Sequence, residues 1–400
     1  AGNEGEEKAQ KTYNYNFEGS AIKTTTAFTY SDDSIITSVT VKGEDGTVKK
    51  SITMYAGNEG EEKAQKTYNY NFDGSAIKTT TTFTYSDDTL TKSTTVKGED
   101  GTITKSVTTY AGNEGEEKAQ KTYNYNFEGS AVKTTTTFVY SDDSLVKSTT
   151  VKGEDGTVTK SVTLYAGNEG EEKAQKTYNY NFEGSAIKTT TIFTYVDDTL
   201  TVSTTVKGED GTVKKSVTTY AGNEGEEKAQ KTYNYNFEGS SIKTTTIFSY
   251  SDDTLYKSVS VKGEDGTVTK SVTMYAGNEG EEKAQKTYNY NFDGSAIKTT
   301  TAFLYSDDSL VKSTSVKGED GTVTKSVTTY AGNEGEEKAQ KTYNYNFEGS
   351  AVKTTTTFTY SDDSLITSVT VKGEDGTVTK SVTTYAGNEG EEKAQKTYNY

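Results

Sequence analysis

The sequence predicts an all-β protein built from tandem copies of a four-stranded antiparallel meander. Three observations predict this class: a 55-residue period runs through the 400 residues, strand-forming residues alternate with polar ones, and short Gly-, Asp-, Asn- and Ser-rich loops separate these stretches. The copies span residues 1–55, 56–110, 111–165, 166–220, 221–275, 276–330, 331–385 and, as a partial copy, 386–400. We interpret 1–400 as a single repeat array and expect it to be a segment of a longer chain.

Four stretches of the first copy have the composition and alternation of β-strands. They are residues 6–17, 21–30, 34–42 and 47–55, separated by the loops EGS, SDD and GEDG and followed by AGNEG. Loops of this length and composition are hairpin signals. They are too short for the crossovers that parallel strands need, so the copy is predicted to be an antiparallel meander.

The alternation predicts which side chains share a face, because successive side chains of a strand point to opposite faces. One face of the first strand carries Ala9, Lys11, Tyr13, Tyr15 and Phe17. One face of the second strand carries Ile22, Thr24, Thr26, Phe28 and Tyr30, and one face of the fourth carries Val48, Lys50 and Ile52. We therefore expect the tyrosine pair of the first strand to pack against the aromatic residues of the second.

The arrangement of the copies follows from strand spacing and from the size of one copy. Neighbouring strands lie ~4.8 Å apart, so four strands advance a sheet by ~19 Å. An independent domain of 55 residues buries little surface, and this sequence has no cysteine to staple it. Because strands twist with a fixed hand, we predict a continuous, spiralling β-ribbon or fibre rather than a string of separate domains.

A family resemblance lies in the order of turns within Tyr360–Gly390. This segment runs through a tyrosine-led turn, a leucine, a strand, a DG turn, a second strand and a final tyrosine, and the key positions are Tyr360, Leu365, Asp375, Gly376 and Tyr385. It resembles an RHS/YD repeat, and Tyr343–Asp363 resembles a looser second example. The resemblance implies two YD-like hairpins in each copy. It also implies a long β-ribbon that winds into a spiral or into a hollow shell, which encloses a toxin in some members.

Composition argues against several functional classes. The net charge is −16, with 59 acidic residues against 43 basic ones, and arginine is absent, whereas nucleic-acid binding requires clustered Lys and Arg. Histidine and cysteine are also absent, which removes the usual acid–base and nucleophilic groups, so we predict that the chain is not an enzyme. No apolar run is long enough to span a membrane as a helix in this segment.

The acidic turns are the strongest candidate for ligand binding. The carboxylate pairs Asp32–Asp33 and Glu44–Asp45 lie in polar turns, where solvated charge is the simplest interpretation. Adjacent turns along one edge of the ribbon could share a calcium ion, which takes about six to eight oxygen ligands. No turn has the spacing of a known calcium loop. We assign no catalytic, cofactor-binding or metal-ligating residue and leave calcium open.

The hydroxyl-rich strands and the tyrosine pair leave further alternatives open. The KTTT run, Lys23 to Thr26, begins a regular hydroxyl array that could bind ice or polysaccharide, although threonine also suits an exposed strand face. Tyr13 and Tyr15 could stack on glycans or become cross-linked by oxidation. Packing within the hairpin is the simpler interpretation.

These observations together favour a non-enzymatic structural repeat protein. We expect an extracellular or cell-surface β-fibre, filament or adhesin stalk, held by self-association between repeats, with association between chains left open. The first alternative is a multivalent array that binds calcium, glycan or ice, in which many weak sites give strong attachment. The second is a YD-type shell around a toxin cargo.

Overall fold

The structure is a computed structural model that describes residues 8–15, 19–44, 46–71, 73–126, 128–181, 183–251, 253–277, 279–306, 308–332, 337–361, 364–387 and 392–400. These residues form 29 β-strands and no helix, and none of them belongs to a helical segment suited to crossing a membrane. Internal contacts divide the chain into two units, residues 1–175 and 176–400, and each is considered by itself below.

Residues 1–175 contain twelve complete strands. They are β1 (Lys11–Tyr15), β2 (Ile22–Ser31), β3 (Ser34–Lys42), β4 (Lys49–Ala56), β5 (Lys63–Tyr70), β6 (Ile77–Ser86), β7 (Thr89–Lys97), β8 (Thr104–Ala111), β9 (Lys118–Tyr125), β10 (Val132–Ser141), β11 (Ser144–Lys152) and β12 (Thr159–Ala166). The boundary between the units falls within β13 (Lys173–Tyr180).

Residues 176–400 contain the rest of β13 and sixteen further strands. They are β14 (Ile187–Val196), β15 (Thr199–Lys207), β16 (Lys214–Ala221), β17 (Lys228–Tyr235), β18 (Ile242–Ser251), β19 (Thr254–Lys262), β20 (Thr269–Ala276), β21 (Lys283–Tyr290), β22 (Ile297–Ser306), β23 (Ser309–Lys317), β24 (Thr324–Ala331), β25 (Lys338–Tyr345), β26 (Val352–Ser361), β27 (Ser364–Lys372), β28 (Thr379–Ala386) and β29 (Lys393–Asn399).

Consecutive strands pair antiparallel from β1 to β12 in the first unit and from β13 to β29 in the second. The predicted all-β fold of four-stranded meanders is therefore confirmed. The last strand of one copy also pairs with the first strand of the next, as β4 does with β5 from Ser51↔Asn69 to Ala56↔Lys63. Within each unit the copies are thus joined by an uninterrupted backbone ladder.

The SDD loops are two-residue hairpin turns. Ser31 pairs with Ser34, and Asp32 and Asp33 between them have φ angles of 46° and 70°. Positive φ at both central positions is the geometry that fits the right-handed twist of the flanking strands. Aspartate tolerates this conformation better than most residues, which explains why the turn is acidic.

β-Bulges change the faces that simple alternation predicts. Asn14 pairs with Thr24 but Tyr15 pairs with Ile22, so Lys23 is an extra residue in β2. Since directly paired residues lie on the same face of a sheet, Ile22 lies with Tyr15 and not with Thr24. The predicted face of the second strand is wrong at Ile22 for this reason.

The register of the first hairpin separates its aromatic residues. Tyr13 pairs with Thr25, whereas Phe28 lies on the opposite face with Thr24 and Thr26. The predicted packing of Tyr13 and Tyr15 against Phe28 and Tyr30 is therefore wrong. We call the face of Tyr13 and Tyr15 the tyrosine-pair face, and the opposite face, with its rows of threonine, the hydroxyl face.

Two further predictions about strands are corrected by the structure. Val48 precedes β4 and Lys50 is an extra residue at a bulge, so Val48, Lys50 and Ile52 do not form one regular face. Phe17 lies outside the described residues, but its equivalents Phe237, Phe292 and Phe347 follow the ends of β17, β21 and β25. Their side chains are 80–91% exposed, so they are not members of the strand face.

Buried apolar residues are nearly absent, consistent with a hydrophobic content of 30%. Among the described residues only Val206 and Val261 are buried hydrophobics. The most buried side chains are instead threonines, namely Thr80, Thr135, Thr190, Thr245 and Thr300. In the fourth copy the loop after β15 folds over the tyrosine-pair face, where the hydroxyl of Thr190 donates to the carbonyls of Gly208 and Glu209 at 2.7 and 2.6 Å.

Candidate functional site

Charged side chains of adjacent copies converge at one edge of the sheet, where the SDD and AGNEG loops lie. We call this the acidic edge. In the second copy the Lys63 ammonium lies 3.0 Å from Asp88 of the same copy and 2.6 Å from Glu114 of the next. Lys63 Nζ also donates to the backbone carbonyl of Asp88 at 2.7 Å. One lysine thus connects two turns across a copy boundary.

The same three-residue cluster recurs with the period of the sequence. It is formed by Lys8, Asp33 and Glu59, by Lys118, Asp143 and Glu169, and by Lys228, Asp253 and Glu279. Ion pairs with exposed carboxylates, as around Lys8, Lys63 and Lys118, contribute roughly 0–1 kcal/mol each. The carboxylates around Lys228 are mostly buried. The clusters therefore set the position of neighbouring loops and add to stability mainly through their number.

A second carboxylate at the acidic edge binds backbone across the same boundary. Glu117 Oε1 accepts a hydrogen bond from the Leu90 amide of the preceding copy at 2.8 Å, and Glu172 accepts one from Leu145 at the same distance. These bonds, with those from the carboxylates' own amides and nearby glycine amides, lower the pKa of both groups below the usual range for glutamate.

The lowered pKa predicts that the junctions lose stability in acid. A group whose pKa is lower in the folded state stabilises the fold above its unfolded pKa of about 4.3, and this contribution disappears as pH falls through the folded value. We expect the double variant Glu117→Gln/Glu172→Gln to lose less stability than the parent between about pH 5 and pH 3. Urea denaturation across this range measures the difference.

Glu154→Gln is the matched control for the acid experiment. The backbone carbonyl of Glu154 accepts a hydrogen bond from the Thr135 hydroxyl. A change of the Glu154 side chain keeps this bond and leaves the junction bonds of Glu117 and Glu172 in place. The control should keep the parent's loss of stability in acid. An unchanged pH dependence in the double variant would contradict the role of the two carboxylates.

A cleft of about 550 Å³ lies beside the cluster of the third copy, lined by residues that include Lys118, Phe138, Tyr140, Asp143 and Glu169. Its polar groups mostly bind one another. The Tyr140 hydroxyl donates to the Ala119 carbonyl at 2.9 Å, and Lys118 binds both carboxylates. The cleft is therefore a polar recess at a junction, in which one lysine binds two carboxylates and the net charge stays negative.

The tyrosines equivalent to Tyr140 act as hydrogen-bond donors to the sheet. Burial raises the pKa of Tyr250 and Tyr360 to about 12, so both phenols stay protonated at neutral pH. Their hydroxyls donate to the Ala229 and Ala339 carbonyls at 2.9 and 2.8 Å. These contacts position side chains and offer no activated nucleophile.

Of the carboxylates that the sequence singled out, Asp33 lies at the acidic edge beside a cation of the protein itself, whereas Glu44 follows β3 at the opposite edge. Asp33 binds Lys8, while Asp32 holds the first position of the turn. Glu44 contributes its backbone carbonyl to Thr25, and Asp45 lies outside the described residues. Within the described residues no group of three or more acidic side chains is suited to a metal ion. Calcium binding stays a prediction.

The threonines of the KTTT run have three different roles. Thr24 accepts from the Asn14 amide at 3.1 Å, Thr25 is buried under the GEDG loop, and Thr26 bonds the Thr40 hydroxyl at 2.9 Å. On the hydroxyl face, similar pairs include Thr53 with Thr67 across a copy boundary and Thr81 with Thr95. The hydroxyl array is thus hydrogen-bonded internally.

The sequence analysis missed Lys8 and Glu62, and it treated Thr25 only as a member of the KTTT hydroxyl array. Each acts through a partner at least eighteen positions away, so local patterns give no indication of it. Lys8 and Glu62 do fall in the fifteen-residue block that begins every copy without substitution. The identity of this block in every copy was the sequence signal that pointed to these two residues.

No protein-family model matches the chain, and no curated protein matches it either. Among solved structures it is similar to a crystal structure of TcdB2-TccC3-TEV, at 11% identity and a TM-score of 0.31 over 96% of this chain. The chain spans 22% of that protein. It is also similar to a porin-like protein from Bacteroides uniformis, at 13% identity and a TM-score of 0.22, over 76% of this chain and 92% of the other. Similarity this weak supports no conclusion, and the RHS/YD family stays a prediction.

Proposed function

We propose that the chain is a non-enzymatic structural array that forms the span of an extracellular β-fibre, filament or adhesin stalk. The observation that supports this most directly is the copy junction. β4 and β5 belong to different copies yet pair through six residue pairs, and β8 and β9 do the same. A backbone ladder across the junction resists bending and extension better than a flexible linker would.

Side-chain contacts support the same role. The lysine cluster, which forms around Lys8, Lys63, Lys118 and Lys228, and the glutamate–amide bond hold neighbouring turns in place, as Lys63 with Glu114 and Glu117 with Leu90 illustrate. Within each unit, repetition of the same contacts favours the same spacing between successive copies. The chemistry suits mechanical work, in which the array separates whatever lies at its two ends.

An end-to-end distance measurement tests the proposal. The full chain would carry a compact marker protein at each terminus, and electron cryo-microscopy would record the distance between the markers with and without a chelator. We expect one narrow distribution that the chelator leaves unchanged. A broad distribution would indicate separate flexible copies and would contradict the structural span, whereas collapse on chelation would favour a calcium-dependent array.

A separate experiment tests the extracellular location. Antibodies against the array should label intact source cells, and brief protease treatment of those cells should remove the label. Labelling only after permeabilisation would place the array inside the cell and would leave the mechanical role to be judged by the distance measurement alone.

A further inference from the structure

Large aromatic side chains project from one sheet edge in residues 176–400. Phe237, Phe292 and Phe347 are 89%, 91% and 80% exposed. They occupy the loop after the first strand of their copies, at the edge opposite the SDD turns. A lysine at the end of the third strand of the preceding copy lies over each ring, with Nζ 5.1–5.2 Å from the ring centre: Lys207, Lys262 and Lys317.

The loop that carries each ring is held by hydrogen bonds. In the fifth copy Asn236 Oδ1 accepts from the Ser240 and Ser241 amides, and the Gly239 amide donates to the Asn236 carbonyl. A Cβ on Gly239 would lie 2.6 Å from the Lys214 nitrogen, so the loop rests directly on the start of β16. The ring is therefore presented on an ordered support, which lowers the entropy lost on binding.

Phenylalanine side chains as exposed as these indicate a surface that another molecule can cover. A phenylalanine side chain buries about 150–250 Å² when covered, and nearly all of that area faces solvent here. The ring of Phe237 contributes little to the packing of its own copy, since 89% of it is exposed and the lysine above it belongs to the preceding copy. Single exposed apolar residues are ordinary, but the same ring at the same position in successive copies forms a periodic surface.

We propose that two copies of this chain associate side by side through this surface, the phenylalanine edge, formed by Lys207, Phe237 and Glu238 and their equivalents. The first argument is the period. Four strands separate successive rings, a spacing of ~19 Å along a flat sheet. A second copy of the chain carries its rings at the same spacing. When one pair of rings docks, the following rings are therefore aligned to dock as well.

Local charge supports the same partner. Each loop presents a cation and an anion beside the ring, as Lys207 and Glu238 do. A two-fold axis between two copies would place the lysine of one loop near the acid of the other. Such pairs fix register more than they add affinity, so the rings supply most of the attraction.

The available area predicts a weak, concentration-dependent pair. Three rings offer roughly 500 Å² on each chain, against about 800 Å² for one side of a standard stable interface. Association must therefore be multivalent, with several rings docking together. The net charge of −16 opposes the pair, so added salt should strengthen it.

Sedimentation of the full chain over about 1–100 μM at two salt concentrations tests the proposal. The decisive variant carries serine at the phenylalanine of all seven full copies: Phe17, Phe72, Phe127, Phe182, Phe237, Phe292 and Phe347. We expect the parent to pair and the variant to pair at least about tenfold more weakly, because central aromatic anchors dominate such interfaces. Circular dichroism confirms that the variant is folded.

Two further variants keep the experiment interpretable. Lys207→Glu/Lys262→Glu/Lys317→Glu retains the rings and should also weaken pairing. Leu304→Ser removes another exposed apolar side chain, at a position where the fifth copy carries Ser249, and should pair like the parent.

Two outcomes would overturn the proposal: a sevenfold variant that pairs like the parent, or a parent that stays monomeric throughout. In the second case, pelleting with phosphatidylcholine vesicles through the phenylalanines would identify a lipid surface as the partner. The proposal goes beyond the structural span. Its failure would leave the end-to-end distance unchanged, so the two proposals fail separately.

Discussion

Replacing Gly211 by alanine is expected to open the loop after β15 and to lower the free energy of unfolding by about 3 kcal/mol. A Cβ at this position would lie 1.7 Å from the Lys207 carbonyl oxygen and 2.8 Å from its carbon. Both are backbone atoms, so no side-chain rotation relieves the clash. The loop would have to leave the tyrosine-pair face and would expose Thr190 and Val206, which it now covers.

Gly208→Ala is the matched control in the same loop. Gly208 has a φ of +78°, but a Cβ there would meet no atom within 4 Å. Its substitution should cost only the left-handed penalty of about 1–2 kcal/mol. Hydrogen exchange of the β14–β16 amides, together with urea denaturation, separates the two variants. Equal losses would show that the predicted clash is relaxed at little cost.

Sequence reasoning succeeded where local chemistry decides the structure. The third strand was predicted at residues 34–42 and is observed at Ser34–Lys42. The SDD turn closes a two-residue hairpin because aspartate tolerates positive φ, which a sequence pattern can indicate. Strand number, pairing direction and the order of the loops all follow from such short-range signals.

Sequence reasoning failed where the structure depends on a distant partner. The bulge at Lys23 arises from pairing between β1 and β2, and alternation within one strand cannot reveal it. Phe17 was assigned to the first strand because it continues the alternation, yet in later copies the Asn236-type loop ends the strand first.

Sequence reasoning predicted only part of the candidate site. Turn composition placed carboxylates in the loops, and in the structure Asp33 and Glu59 lie together at one edge. The cation between them was not foreseen, because Lys8 lies twenty-five positions from its aspartate. The lysine that binds both carboxylates gives these turns a role in joining copies.

Thr190→Val is expected to lower the free energy of unfolding by about 1–3 kcal/mol. Valine has nearly the same shape as threonine, so the change removes the hydroxyl without opening a cavity. Thr190 is 0% exposed, and its hydroxyl donates to the Gly208 and Glu209 carbonyls. Without it both oxygens would lie above an apolar methyl group, and an unsatisfied buried acceptor costs more than a typical hydrogen bond contributes.

Thr194→Val is the control on the same strand. Thr194 is exposed, and the third copy already carries Val139 at the equivalent position, so we expect a change within about 0.5 kcal/mol. If urea denaturation gave Thr190→Val the same small effect, the buried hydroxyl would contribute no net stability.

Combining Thr190→Val with Gly211→Ala adds a sharper test. Once the alanine has opened the loop, the hydroxyl faces water and its removal should cost little, so the two losses should be less than additive.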